Sequence, residues 1–183
     1  GEIFSYGSAL RLFSNGYIVL DLDNDNNSAT QFEIWNGNEI LVFTVDEAGN
    51  STATGTKSAS VNTDHYGGRL LYAMESPEVW FEDIGSARLE NGAVTVLFEA
   101  IFAETIDLES EYHVFVTPLC QEAVLLFVSE KTAQGFTVKG VSLDNQPSNC
   151  ALDYRVVAKR LGYENVRLAP LDNKANSRSQ ATD

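Results

Sequence analysis

The chain has 183 residues, 44% of them hydrophobic, and its 12 basic and 26 acidic side chains leave a formal charge of −14. That apolar content excludes a chain disordered by composition, and no run of about eighteen apolar residues exists to form a membrane helix. So acidic a surface repels phosphate backbones and anionic lipid, so nucleic acid and membrane insertion are excluded as partners.

Gly1 stands where an initiator Met or signal peptide is expected, so the sequence reads as a cut-out fragment or a processed product. The first candidate site comes early. Asp21, Asp23 and Asp25 alternate as at the start of a calcium loop, but Asn26 and Phe32 occupy the positions where an EF-hand needs Gly and Glu. A different oxygen-rich Ca2+ or Mg2+ site is one reading of these carboxylates. An acidic turn facing water is the plainer one, and no other cofactor is implied.

Asn36-Gly37 predicts a type I′ hairpin, and Gly49 a slightly longer turn. Between them Ile40–Asp46 reads as a strand that is apolar on both faces, with Leu41, Phe43 and Val45 on one and Ile40 and Val42 on the other. A short hairpin cannot cover both faces itself, so these five residues are the expected interface between identical chains. The run Asn50–Ser60 holds mainly small residues, which suits either close backbone approach at a symmetry axis or a flexible linker.

From there, short β-branched and aromatic runs follow one another: Arg69–Met74, Val79–Ile84, Ala93–Glu99, Tyr112–Thr117, Ala123–Glu130, Gly135–Leu143 and Ala151–Lys159. A second Asn-Gly pair, Asn91-Gly92, lies among them, and Phe98–Leu108 has weak helical spacing. The strand density over 61–169 predicts a β-sandwich or barrel-like head. Residues 1–60 form a separate short β segment, and 170–183 a disordered polar tail.

Several residues in the head carry chemistry. Glu78, Trp80 and Glu82 alternate on one strand face, as a sugar-binding surface or a glycosidase would place them, or as a solvated face around a core aromatic. Lys159, Arg160 and Arg167 form a small basic cluster that can pair with the acidic face or with a neighbouring subunit. His113 sits among strand residues and reads as structural rather than as a ligand. Cys120 and Cys150 flank loops; a disulfide between them and two buried free thiols are both compatible with the sequence. No triad motif or phosphate loop appears, and no catalytic residue is expected.

The stretches Leu20–Asn27, Phe32–Gly37 and Val42–Asn50 resemble the repeat unit of phage tail fibres and fibre-like bacterial surface proteins. The stretches Glu75–Gly85, Tyr112–Pro118 and Tyr154–Glu164 are similar to a terminal module of large repetitive bacterial proteins. The resemblance covers most of the chain. It implies an all-β protein: a short intertwined or trimeric fibre segment followed by a β head. It further implies an extracellular setting on a virion, an injection-system fibre or a bacterial surface. Self-association as a homotrimer and recognition of a cell-surface glycan or receptor are the expected activities. A structural trimerisation cap and a polysaccharide-degrading enzyme are the alternatives.

Overall fold

The structure is a computed structural model and describes residues 10–23, 25–27 and 29–171. It is almost entirely β: eleven strands and one four-residue helix. The chain divides into two compact units between Ala73 and Met74, not at residue 60. The reason is local: the strand that begins at Ser58 pairs with the one that ends at Tyr72, so both fall on the same side of the division. The expected polar tail, from Asp172 onward, lies outside the described residues.

In the first unit, β1 (Gln31–Trp35), β2 (Leu41–Asp46) and β3 (Ser51–Ala53) make an antiparallel sheet in chain order. The β1–β2 turn is not the type I′ turn that Asn36-Gly37 suggests. The positive φ falls on Glu39 (58°), and the Asn36 side chain accepts hydrogen bonds from the amides of Asn38 (2.9 Å) and Ile40 (3.1 Å). Asparagine here works through its side-chain oxygen, which closes the turn locally. The β2–β3 turn does use glycine: Gly49 sits at φ 81°, and Asp46 accepts from the Asn50 amide. Part of the small-residue run is therefore strand rather than linker. A separate ribbon, β4 (Ser58–Thr63) and β5 (Gly67–Tyr72), pairs without irregularity.

The second unit holds two antiparallel sheets in a sandwich-like arrangement. One is ordered β6 (Trp80–Arg88), β11 (Ala151–Lys159), β8 (His113–Leu119). The other is β7 (Ala93–Leu97), β10 (Gly135–Ser142), β9 (Val124–Thr132). Their inward faces share one core, with Phe136 and Val138 from β10 meeting Leu152 and Val156 from β11. Alternation puts these residues inside and their neighbours outside. Helix α1 (Ala100–Ala103) lies where weak helical spacing was visible.

Asn91 and Gly92 both adopt positive φ (51° and 86°), but the strands they join do not pair as a hairpin. Beyond the Glu90–Ala93 bridge, the Leu89 amide donates to Cys150 and the Gly92 amide to Ser148, which draws β6 and β7 into different sheets. Among the described residues no helix is long and apolar enough to cross a membrane.

Candidate functional site

The outward face of β6–β11–β8 gathers the residues of interest. Buried Val156 and Ala158 fix the inward side of β11, so Val157 and Lys159 point outward, together with their register partners Glu82 and Trp80. His113 pairs with Val157 from the other side, and Phe115 with Arg155. The result is a strip of alternating aromatic and charged side chains.

Within it the Trp80 and His113 rings lie 5.5 Å apart, and Lys159 Nζ lies 5.8 Å from the Trp80 ring centre. Lys159 also pairs with Glu78 (3.3 Å) and donates to the Glu164 carbonyl (2.8 Å). Arg167 pairs with the second Glu78 oxygen at 3.5 Å. Glu82 accepts from Arg155, whose guanidinium lies 6.0 Å from the Phe115 ring centre. On the opposite face of β6, Arg160 packs between Phe81 and Tyr163, at 5.4 and 4.6 Å from the ring centres. Alternation along the strand thus brings Glu78, Trp80 and Glu82 to one region. The cations that engage both carboxylates come from a distant stretch of sequence. The cluster of Lys159, Arg160 and Arg167 was the only visible signal of them, and Arg155 gave none.

A shallow cleft of about 370 Å³ adjoins the strip along the β8–β9 edge, lined by His113, Phe115, Val128 and Lys131 among others. Lys131 crosses its end, pairing with Glu111 at 3.0 Å and donating to the Tyr112 carbonyl at 2.8 Å. The hydrogen bond that Lys131 donates to Glu111 holds that carboxyl below its ordinary value. Burial pushes the Tyr112 phenol up; its hydroxyl donates to Gly135 at 2.6 Å. The strip and cleft therefore offer apolar ring faces beside fixed charges.

The other expected sites stand as follows. Asp23 (φ 52°) and Asn26 (φ 53°) form a turn in which the Asn26 amide donates to Asp23 (2.8 Å), and Asn27 donates to Asp25. Among the described residues no group of three or more potential ligands is placed to hold a metal, so Asp21, Asp23 and Asp25 do not converge within one chain. Cys120 and Cys150 are joined in a disulfide with a Cα separation of 5.5 Å. Leu41, Val42, Phe43 and Val45 are only half-buried, and Ile40 is 53% exposed.

No protein-family model matches the chain, and no curated protein or solved structure matches it.

Proposed function

We propose that the chain is the non-enzymatic tip of a fibre-like surface or tail-fibre-like protein. Residues before Met74 join identical chains, as a trimer, and the sandwich unit presents the Trp80–His113–Phe115 strip to a cell-surface glycan or receptor. One observation carries this reading. Among the described residues up to Ala73 none is buried, although Leu41, Phe43 and Val45 line one face of β2 and Val42 stands on the other. Burying a large apolar side chain contributes about 1.5–3 kcal/mol, and described residues that fully bury no side chain within one chain have little to offset their ordering entropy. Identical copies are the simplest cover. The Cys120–Cys150 disulfide suits an oxidising, extracellular setting.

The binding half of the proposal is tested by attachment. The full chain, labelled, is screened against glycan panels and whole bacterial cells beside Trp80→Ala and Phe115→Ala variants. Saturable attachment weakened at least about tenfold in both variants, roughly 1.4 kcal/mol, is the expected result. Absence of saturable attachment by wild type removes the binding role and leaves a trimerisation cap.

A further inference from the structure

The β4–β5 ribbon treats its edges differently from the other sheets. Exposed edges invite pairing with other chains, and monomeric proteins guard them with proline, charge, bulges or short strands. In the sandwich unit β8 carries Pro118 at an edge. Edge strand β9 is bulged at Ser129, where Glu130 pairs with Thr137 and Val128 with Val138, and it carries the ion-paired Lys131 next to its last residue. Edge strand β7 spans only five residues.

The β4–β5 ribbon has no proline and no bulge, and Arg69 is its one charge. Its six register pairs run from Ser58–Tyr72 to Thr63–Gly67 without a bulge or a proline. Among the described residues both of its strands are edges, and every residue in it is exposed. A lone two-stranded ribbon is at best marginally stable in water. Its twelve residues hold one charged side chain, Arg69, in a chain of net charge −14. Two such acidic chains can meet only where charge is sparse, whereas a foreign partner of an acidic protein is drawn to the charge itself.

The hydrogen-bond pattern says which atoms the ribbon itself leaves unpaired among the described residues. The Ala73 amide donates to the Lys57 carbonyl at 2.9 Å. Antiparallel alternation then makes Ala59–Leu71, Val61–Arg69 and Thr63–Gly67 the hydrogen-bonded pairs. The N–H and C=O groups of Ser58, Ser60, Asn62, Gly68, Leu70 and Tyr72 point outward, to the two edges. The side chains of these same six residues form the uncharged face of the ribbon, while Arg69 lies on the other.

We infer that the ribbon is the element through which copies of this chain pair edge to edge. The β5 edge of one copy meets the β4 edge of the next, and the ring closes after three copies with the Ser60–Leu70–Tyr72 face inward and Arg69 in water. A head-to-tail contact of this kind closes only if the rotation returns to its start, which a ring of three six-residue ribbons does with no edge left over. The inference rests on the homo-oligomeric reading of the first unit and assigns its joint to Ser58–Tyr72, beyond the β2 residues.

Two substitutions and one wild-type measurement test it. Ser60→Pro and Leu70→Pro each delete an outward amide and spare every hydrogen bond inside the ribbon. Solution mass by light scattering is read for wild type and both variants, and residue-resolved hydrogen exchange is read on wild type. Loss of the assembly in both variants is expected. In wild type the Ser60 and Leu70 amides should exchange as slowly as those of Val61 and Leu71, which are bonded within the ribbon. If a variant misfolds, the exchange result decides. Wild-type assemblies with freely exchanging Ser60 and Leu70 amides, or proline variants of unchanged mass, overturn the ribbon inference and leave the oligomer standing. A monomeric wild type overturns the oligomer itself.

Discussion

Removing the Cys120–Cys150 disulfide should weaken the sandwich unit by an amount set by chain entropy. Leu119 pairs with Ala151 across β8 and β11, so the next opposed positions are the two cysteines, and their Cα separation of 5.5 Å lies in the usual range for a bridge. The bridge spans a sequence separation of 30, which encloses all of β9 and β10. Closing a loop of that length in the unfolded chain is worth about 3.6 kcal/mol. At roughly 2.1 cal/mol/K of unfolding entropy per residue over Met74–Leu171, that corresponds to a Tm lower by about 15–20 °C. The assay is thermal unfolding followed by Trp80 fluorescence in a Trp35→Phe background, with and without reductant, and for Cys120→Ala/Cys150→Ala. A shift under about 3 °C would refute the reasoning: the loop would then be constrained by something other than the bridge.

Other consequences follow from the packing and the titrating groups. A Cβ at Gly135 (φ 150°) would run into the backbone of β7, 2.9 Å from Leu97 Cα and closer still to the Val96 carbonyl. Gly135→Ala should therefore cost upwards of about 3 kcal/mol in a urea melt, because backbone cannot move aside as a side-chain tip can; a cost under about 1 kcal/mol would contradict this contact. Asp46, Asp107 and Glu111 are held below the ordinary carboxyl range, chiefly by side-chain hydrogen bonds from Asn50, Ser110 and Lys131. Their stabilisation is complete above the unfolded-state values and is lost as pH falls below about 4, so the urea midpoint should drop there and Asp107→Asn should flatten that limb. Tyr112 and Tyr154 are pushed up by burial. Their contribution is complete below about pH 10 and is lost at higher pH, and Tyr112→Phe should reduce the alkaline loss; an unchanged alkaline limb would count against burial as the cause. Phe43→Asp places a charge in β2 and should dissociate the assembly and expose residues before Met74 to protease, while the sandwich unit keeps its near-ultraviolet signal.

The strands of the sandwich unit were legible because alternating β-branched and aromatic runs between turn residues survive in any tertiary setting. Ala151–Lys159 was read to the residue, and Gly135–Leu143 differs from the observed strand by one position. Sheet order was not legible. Asn91-Gly92 signals a tight turn, and the turn forms, but long-range bonds from the Leu89 and Gly92 amides to the Cys150 and Ser148 carbonyls send its strands to opposite sheets. The division between units was misplaced because Ser58–Ser60 looks like linker by composition, whereas its partner residues Leu70–Tyr72 make it a strand. At the site, alternation was enough to group Trp80 with Glu82. Arg155 and His113 reach the strip only through the register of β11 with β6 and β8, and a register between distant segments leaves no trace in one sequence.

The central claim is that the first unit joins identical chains, and solution mass tests it most directly. Multi-angle light scattering of the full chain at micromolar concentration should give three times the 20.1 kDa chain mass, with residues 31–72 protected from proteolysis. A 20.1 kDa monomer in which those residues are equally protected would contradict the account.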